Sequence, residues 1–322
     1  MSKTFQTRGR HGDEAVHAVR DVSFTVPRGT CLGIAGESGS GKSTVARMMV
    51  GLETVSAGEI WVNGSRLAEP PRTADRRAHA RRVQMVFQDP YASLDPRQTI
   101  AAAIDEVQRV HFERTAAERR TRVLELLDAV GLGERYADAL PRSLSGGQRQ
   151  RLAIARALAA EPAVLVLDEA VSALDVSTQA QILNLLSDLR TEFSLTYIFI
   201  SHDLAVIRQI SDDVLVLYRG RLMEQSSAER LFIQPAHPYT QLLLDSVPRP
   251  GMELEKRPDR GTLDEAGCLF AGRCPRVHAR CATEPPEFPL PSDGRSRCWL
   301  ADTSPTNETP PASAPRTQGD PK

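Results

Sequence analysis

The chain has 322 residues, 41% of them apolar, and a net charge of −1 that results from 40 basic and 41 acidic side chains. This balance gives no indication of a nucleic-acid partner, because chains that bind phosphate backbones usually carry an excess of Lys and Arg. Residues 1–16 lack the apolar run of a signal peptide, and no stretch approaches the roughly 18 apolar residues of a membrane span. We therefore expect a cytoplasmic globular protein in which any membrane role depends on a partner chain.

The N-terminal part of the chain is predicted to be rich in strands. Apolar residues alternate over residues 21–26, and residues 59–62 read as a strand that ends in the tight turn Asn63-Gly64. Short strands are also predicted over residues 30–35 and 82–88.

The strand predicted at residues 30–35 leads into the motif G-E-S-G-S-G-K-S at residues 36–43, and a helix is predicted to follow it. Strand, glycine loop and helix form the context that a phosphate-binding loop requires. Glycines allow backbone N–H groups to approach phosphate oxygens, and the helix N-terminus adds partial positive charge. Lys42 is predicted to reach the β- and γ-phosphates, and Ser43 to bind Mg²⁺. The residues predicted to bind a nucleoside triphosphate here are Gly36, Ser38, Gly39, Gly41, Lys42, Ser43 and Thr44.

The apolar pattern becomes helical between about residues 99 and 161, and it returns to a strand at residues 164–167. This strand is an unbroken apolar run, as expected for a central parallel strand that is buried on both faces. An amphipathic helix is predicted over residues 176–192 and another strand over residues 196–201. Strands and helices that alternate after a phosphate loop predict a parallel α/β sheet, with the helical stretch of about 99–160 inserted into it.

Two carboxylates, Asp168 and Glu169, follow the apolar run, and His202 follows the next predicted strand. Asp168 is placed to orient Mg²⁺ and Glu169 to polarise an attacking water. Strand ends often carry acids, and a lone histidine at a strand end is more often a simple hydrogen-bonding residue. These three residues alone therefore leave a structural role open.

A second anion-binding helix start is predicted at residues 144–148, which read L-S-G-G-Q. The hydroxyl group of Ser145 and the backbone N–H groups of Gly146 and Gly147 lie at the start of a predicted helix without a strand before it. Because the first site already holds the triphosphate, the second is predicted to bind the γ-phosphate of a nucleotide held by another copy. The sequence thus predicts a head-to-tail dimer that closes over ATP.

Together these segments resemble the nucleotide-binding subunit of an ABC transporter over about residues 1–300. They occur in the family's order: Walker A, the Q-loop Gln88, the signature, Walker B, the D-loop at residues 172–175 and the switch His202. The resemblance implies a P-loop NTPase core of the RecA type with an antiparallel β subdomain and an inserted helical signature subdomain. It also implies that Glu169 is the general base and that His202 stabilises the γ-phosphate. The other nucleotide or Mg²⁺ contacts that it implies are Gln88, Asp168 and Asp175 and, acting in trans, Ser145, Gly146, Gly147 and Gln148.

In this family an aromatic side chain upstream of Walker A usually stacks on adenine, and Phe5 is the candidate here. An ordinary strand residue in the β subdomain is an equally good interpretation of Phe5.

Two stretches are similar to the second ATPase of dipeptide and oligopeptide importers: residues 86–97, around the Q-loop, and the H-P-Y-T motif at residues 237–240. The resemblance implies ATP-driven peptide import at the cytoplasmic face of the inner membrane, where the chain would be peripheral. The implied partners are two permease subunits contacted near Gln88 and Tyr91, a second related ATPase and an extracytoplasmic binding protein. Nickel and glutathione importers share these stretches, so they remain alternatives for the cargo. A soluble ABC ATPase that acts on DNA or ribosomes is the alternative from another class.

Four of the five cysteines crowd the C-terminal part with the spacing C-x5-C-x6-C-x16-C. Four thiolates can bind zinc or a [4Fe–4S] cluster, and the spacing matches neither the common zinc pattern nor the compact ferredoxin pattern. The resemblance favours an iron–sulfur cluster over zinc or unligated thiols, because the C-terminal extension of peptide-importer ATPases carries similar cysteines. Arg273 and Arg297 would then offset the negative charge of the cluster. The predicted ligands are Cys268, Cys274, Cys281 and Cys298.

Three regions are expected along the chain. Residues 1–250 form the ATPase domain, and residues 235–300, where apolar periodicity fades, form the C-terminal extension. Residues 301–322 are mostly small and polar and cannot bury enough surface to fold, so a disordered tail is predicted.

Overall fold

The computed structural model describes residues 1–9, 12–67, 73–89, 94–246, 267–291 and 293–302. The strands in these ranges are β1 (Lys3–Gly9), β2 (Gly12–Val19), β3 (Cys31–Ala35), β4 (Trp61–Val62), β5 (Ser65–Arg66), β6 (Val83–Val86), β7 (Val164–Asp168), β8 (Thr196–Ile200), β9 (Asp213–Tyr218), β10 (Arg221–Ser227), β11 (Phe288–Pro289) and β12 (Arg295–Ser296). The helices are α1 (Lys42–Met49), α2 (Thr73–Arg82), α3 (Ile100–His111), α4 (Ala116–Ala129), α5 (Gly146–Leu158), α6 (Val176–Glu192), α7 (Leu204–Ile210), α8 (Ala228–Ile233) and α9 (Pro238–Asp245). None of these helices is long and apolar enough to cross a membrane.

The central sheet of the described residues has eight strands in the order β11-β12-β10-β9-β3-β8-β7-β6. The five strands from β9 to β6 are parallel, as predicted, and β10, β12 and β11 add an antiparallel edge. In the register, Ile34 of β3 and Asp168 of β7 both lie opposite Ile200, the last residue of β8. The carboxyl ends of these three strands therefore meet at one edge, and the segments that follow them converge there.

The central strands are buried on both faces, as the apolar run at residues 164–167 predicted. All five residues of β3 and of β8 are buried. Alternate side chains enter two separate apolar clusters, with Tyr197 and Phe199 in one and Ile198 and Ile200 in the other. Each cluster covers one face of the sheet, so the strands that lead to the site are packed on both sides.

The alternation at residues 21–26 predicted a strand, and this prediction is wrong. The structure assigns no strand to this segment, although Val22 is buried and Phe24 and Val26 are half-buried against the second apolar cluster. The alternation of apolar residues therefore reflects a segment that packs one face on the core. A segment can pack in this way without pairing to a neighbouring strand.

The segment beyond residue 235 contains more regular structure than its fading periodicity predicted. It includes the helix α9, and the strands β11 and β12 join the central sheet through β10. Ala301 ends a short 3-10 helix, and Asp302 accepts a hydrogen bond from Arg280, so these two residues of the predicted disordered tail have defined contacts. The rest of that prediction, residues 303–322, lies outside the described residues.

Candidate functional site

The phosphate loop connects β3 to α1 through two glycines at which a side chain would collide with the backbone. Gly36 has a φ of +148° and Gly41 a φ of +103°, values that residues with a side chain rarely adopt. A Cβ atom on Gly36 would collide with the carbonyl oxygen of Leu217, and one on Gly41 with that of Ala18. The shape of the loop therefore depends on glycine at both positions.

The start of α1 has the features that a bound anion requires. Its N-cap residue, Gly41, supplies no capping side chain, so the first N–H groups of the helix are available to a ligand. Among the described residues, the buried hydroxyl oxygen of Ser40 has no hydrogen-bond partner. Phosphate oxygens would satisfy these groups. The other predicted residues lie at the exposed tip of the loop or in the first helical turn: Ser38, Gly39 and Thr44.

The side chain of Lys42 is buried under the loop. Its Nζ donates to the carbonyl oxygens of Gly36, at 2.7 Å, and Glu37, at 2.9 Å. Burial lowers the pKa of Lys42, while Glu169, Asp168 and Glu37 act in the opposite direction and favour the charged form. Lys42 is thus a cation held beneath the loop that curves around the predicted phosphates.

Ser43 and Asp168, two of the three residues predicted to bind Mg²⁺, are in contact. The hydroxyl group of Ser43 donates to Oδ1 of Asp168 over 3.2 Å. Burial raises the pKa of Asp168, and the hydrogen bond from Ser43 opposes this effect. A hydroxyl and a carboxylate oxygen are the ligand types that Mg²⁺ prefers, so this pair fits the ion.

Two other predicted site residues, Gln88 and His202, converge on Glu169. Its Oε2 accepts from Nε2 of Gln88 at 2.9 Å, and its Oε1 lies 3.2 Å from Nδ1 of His202. Each residue follows a different strand of the parallel sheet, and their meeting results from the common carboxyl edge. Gln88 thus contacts the acid here, in addition to its predicted Mg²⁺ role.

The backbone of Glu169 is held in an unusual conformation. Its φ is +49°, which costs about 1 kcal/mol or more for a residue with a side chain. Its N–H group donates to the carbonyl oxygen of Ile200, and its carbonyl oxygen accepts from both the N–H and the hydroxyl groups of Ser172. These three hydrogen bonds fix the backbone from which the carboxylate projects, and such strain is concentrated at functional sites.

The signature residues lie at the start of α5. Ser145 caps this helix, its hydroxyl oxygen accepting from the N–H group of Gln148, whose side chain accepts from the N–H group of Ser145 in turn. Ser145 and Gly146 are exposed, whereas Gly147 packs against Thr178 in the first turn of α6. Asp175, the predicted D-loop residue, caps α6 by accepting from the N–H and hydroxyl groups of Thr178. The structure therefore groups signature and D-loop on one pair of helices.

Phe5 lies in β1, opposite Val16 of β2, and is half-buried. The ammonium group of Lys3 lies 4.8 Å from the centre of its ring. The stacking of Phe5 on adenine stays a prediction.

The four C-terminal cysteines are free thiols, three of them buried and Cys274 half-buried. Burial raises the pKa of Cys298 to about 11, and the other three sulfurs act in the same direction, so the four lie within electrostatic range of each other. Nevertheless, among the described residues no three His, Cys, Asp or Glu side chains converge closely enough to hold a metal ion. The geometry therefore does not fit an iron–sulfur cluster as it stands, and the cluster stays a prediction from the resemblance.

The two arginines predicted to offset the charge of a cluster pair with carboxylates. Arg297 donates to Glu287, and Arg273 donates to Glu37 in the phosphate loop. The sequence did not predict this contact, nor that of the hydroxyl group of Tyr239, which accepts from the N–H group of Glu37 at 2.9 Å. The only sequence signal was the H-P-Y-T motif, which contains Tyr239.

Two family matches cover most of the features described above. Residues 19–172 match the family described as "ABC transporter". Residues 223–281 match the family described as "Oligopeptide/dipeptide transporter, C-terminal region".

Curated relatives match nearly the whole chain. The oligopeptide transport ATP-binding protein AppF of Bacillus subtilis is 46% identical over 282 residues, which cover 85% of this chain and 86% of the relative. The dipeptide transport ATP-binding protein DppF of Haemophilus influenzae is 41% identical, with 88% of each chain covered. The di/tripeptide transport ATP-binding protein DppF of Pseudomonas aeruginosa is 42% identical, with 90% and 92% covered.

Solved structures share the fold. One is the ATP-binding cassette MJ0796 in a dimeric post-hydrolysis state bound to ADP and Pi, which is 31% identical and has a TM-score of 0.61. The match covers 70% of this chain and 96% of the MJ0796 chain. The structure of cbiO1 from Clostridium perfringens, part of the ABC transporter complex cbiONQ, is 28% identical with a TM-score of 0.63, covering 71% and 88%. The chain therefore belongs to the family of ABC transporter ATP-binding proteins and is an ATPase of the group that carries the oligopeptide/dipeptide transporter C-terminal region.

Proposed function

We propose that this chain hydrolyses ATP to drive the import of di- or oligopeptides through a membrane permease. The observation that carries the proposal is the convergence of Gln88, Glu169 and His202 beside the phosphate loop, in a chain that also has the C-terminal region of peptide transporters. The relatives named above are peptide, dipeptide or oligopeptide transport proteins, and this favours peptides over nickel or glutathione. It also favours import over the role of a soluble ABC ATPase.

In the proposed reaction the chain's own residues bind the phosphates and move a proton. The loop N–H groups and Lys42 hold the β- and γ-phosphates. Ser43 and Asp168 would hold Mg²⁺, which would neutralise part of the charge of these phosphates. The carboxylate of Glu169 accepts a proton from the water that attacks the γ-phosphorus, and the bond between the γ-phosphorus and the bridging oxygen breaks to release ADP and phosphate. His202 stabilises the γ-phosphate, and its contact with Glu169 holds the two side chains in a fixed relative position.

A second ATPase is proposed to complete the site. Helices α3, α4 and α5 form the signature subdomain, and the exposed residues at the start of α5 contact the γ-phosphate bound by the opposing chain. Asp175 is proposed to lie at this same interface, since it caps the helix that packs against the signature. The opposing chain is proposed to be a related ATPase of the same importer.

The remaining partners are proposed to be two permease subunits and an extracytoplasmic binding protein, with the ATPase peripheral to the cytoplasmic face of the inner membrane. Gln88 is proposed to link the permease contact to the catalytic acid, with which it shares a hydrogen bond. Tyr91, the other residue of the predicted contact, lies outside the described residues. Residues 1–250 are proposed as the ATPase domain and residues 235–300 as the extension.

Peptide uptake tests the proposed cargo directly. In cells that lack other peptide importers and carry Glu169→Gln as their only copy, uptake of labelled di- and oligopeptides is expected to fall to the level of cells without the gene. Glu192→Gln, the same change at an exposed residue at the end of α6, is the matched control and should preserve uptake. Equal uptake in the two variants would contradict peptide import and direct the same assay to nickel and glutathione.

An iron–sulfur cluster on the four C-terminal cysteines is proposed from the resemblance alone. Protein purified without oxygen is expected to be brown, to absorb near roughly 400 nm and to contain about four iron atoms per chain. Cys274→Ser should lower the iron content, whereas Cys31→Ser, at the buried cysteine of β3, should not. Colourless protein without iron would exclude the cluster and leave zinc or bare thiols, which a zinc assay separates.

A further inference from the structure

The part of the chain beyond residue 235, here called the C-terminal segment, contacts the phosphate loop through a bidentate ion pair. Nη1 and Nη2 of Arg273 each donate to one carboxylate oxygen of Glu37, both over 2.8 Å, although the residues are 236 positions apart. About a quarter of the arginine side chain and a third of the carboxylate are exposed. A planar guanidinium group that binds both oxygens fixes the orientation of the carboxylate, which a single-point contact does not.

The backbone of Glu37 is held at the same time. Its N–H group donates to the hydroxyl group of Tyr239 at 2.9 Å. Its carbonyl oxygen accepts from Nζ of Lys42 at 2.9 Å and from the N–H group of Ser40 at 3.1 Å. The C-terminal segment thus holds the side chain and the N–H group of Glu37, while its carbonyl oxygen faces the lysine beneath the loop.

Arg273 is itself held against a cluster of aromatic rings. Its guanidinium carbon lies 5.9 Å from the ring centres of both Tyr218 and Phe270. The rings of Tyr218 and Tyr239 are 4.6 Å apart, and Phe270 packs on both. Because Tyr239 and Phe270 are buried, the arginine approaches the loop from a rigid surface.

The charges explain why the loop needs this partner. Glu37 places a carboxylate on the loop that is built to hold a triphosphate, and like charges at close range weaken binding. Arg273 neutralises this carboxylate and directs it into the C-terminal segment. Without the arginine, the free carboxylate would repel the nucleotide, and Glu37 would lose the ion pair that helps to hold it in place.

We propose that Arg273 is a positioning residue for the phosphate loop, through which the C-terminal segment sets the affinity for ATP. The proposal rests on the nucleotide site proposed above and adds to it a residue from outside the ATPase motifs. It makes the C-terminal segment part of the nucleotide site.

Equilibrium binding of a fluorescent ATP analogue to the full chain, together with steady-state ATPase kinetics, tests this role. Arg273→Ala is expected to raise the dissociation constant and the KM for ATP about five- to tenfold, with kcat changed by less than about twofold. Arg273→Lys keeps the charge but loses the bidentate geometry and should give an intermediate value. Arg273→Ala combined with Glu37→Gln should recover most of the lost affinity, because the unpaired carboxylate is then absent.

Two further variants separate the possible failures. Arg280→Ala removes an arginine from the same segment that pairs with Asp302 and stacks on Trp299, and it should leave the affinity for ATP unchanged. An equal loss in Arg280→Ala, no loss in Arg273→Ala, or no recovery in the double variant would each overturn the proposal. Lys42→Ala tests the underlying site: if that variant bound the analogue normally, the proposed nucleotide site and the role of Arg273 would both be wrong.

Discussion

Replacing Glu169 with glutamine is expected to lower the rate of ATP hydrolysis by about 10²- to 10⁴-fold, which is the usual effect of losing a general base. Glutamine has nearly the same shape, and it can still contact Gln88 and His202. The hydrogen bonds that hold the backbone of Glu169 involve only main-chain atoms of this residue, so they persist. The substitution thus removes the proposed proton acceptor while it preserves the geometry of the site.

The same variant is expected to accumulate a closed dimer when ATP is present. Binding remains intact while the step that reopens the dimer is blocked, so the closed state becomes the most populated one. Gel filtration with the proposed partner ATPase, with and without ATP, measures this shift, and phosphate release measures turnover. Glu192→Gln is the control for both assays. A Glu169→Gln variant with full turnover and no change in elution volume would exclude Glu169 as the base.

Replacing Lys42 with alanine is expected to weaken ATP binding by about 100-fold, because it removes the buried cation that is proposed to hold the phosphates. The Lys42 residue is 6% exposed and its ammonium group donates to two carbonyl oxygens of the loop, so a solvent ion is not expected to replace it equally well. In the free protein, burial lowers the pKa of Lys42, which means that the charge is costly there. The fold is therefore expected to tolerate the substitution better than ATP binding does.

Calorimetric titration with ATP measures the loss, and thermal melting without nucleotide checks the fold. Arg208→Ala, which removes an exposed positive charge from α7, is the control for the change in net charge and should bind ATP normally. If Lys42→Ala melted at the wild-type temperature and bound ATP with unchanged affinity, the assignment of the phosphate loop would fail.

Much of the site is predictable from sequence because its parts are local. The phosphate loop needs glycine where φ is positive and a helix start that leaves N–H groups free, and both requirements are visible in eight consecutive residues. The helix predicted over residues 176–192 has these same bounds in the structure, since its cap residue and its apolar face lie within one segment. The buried parallel strands were likewise predictable from uninterrupted apolar runs.

Other features could not be predicted because they join distant residues. Strands of two residues, such as β11 and β12, carry no period, and only their pairing with β10 shows that the C-terminal segment extends the central sheet. Residues 21–26 show the opposite case. Their apolar residues alternate clearly and pack on the core, but the segment does not pair with any of the described strands. Periodicity reports which side chains are buried, and it does not report what the backbone pairs with.

The sequence by itself determined the ATPase motifs, their order and the family, because each motif is a short segment whose residue types and spacing carry its chemistry. Only the tertiary structure decided which motif residues meet. The common carboxyl edge of the parallel strands brings Gln88 and His202 to the two oxygens of Glu169. Chain folding over 236 positions brings Arg273 to Glu37, and no local pattern records such a contact, because its energy depends on where the two side chains lie in space.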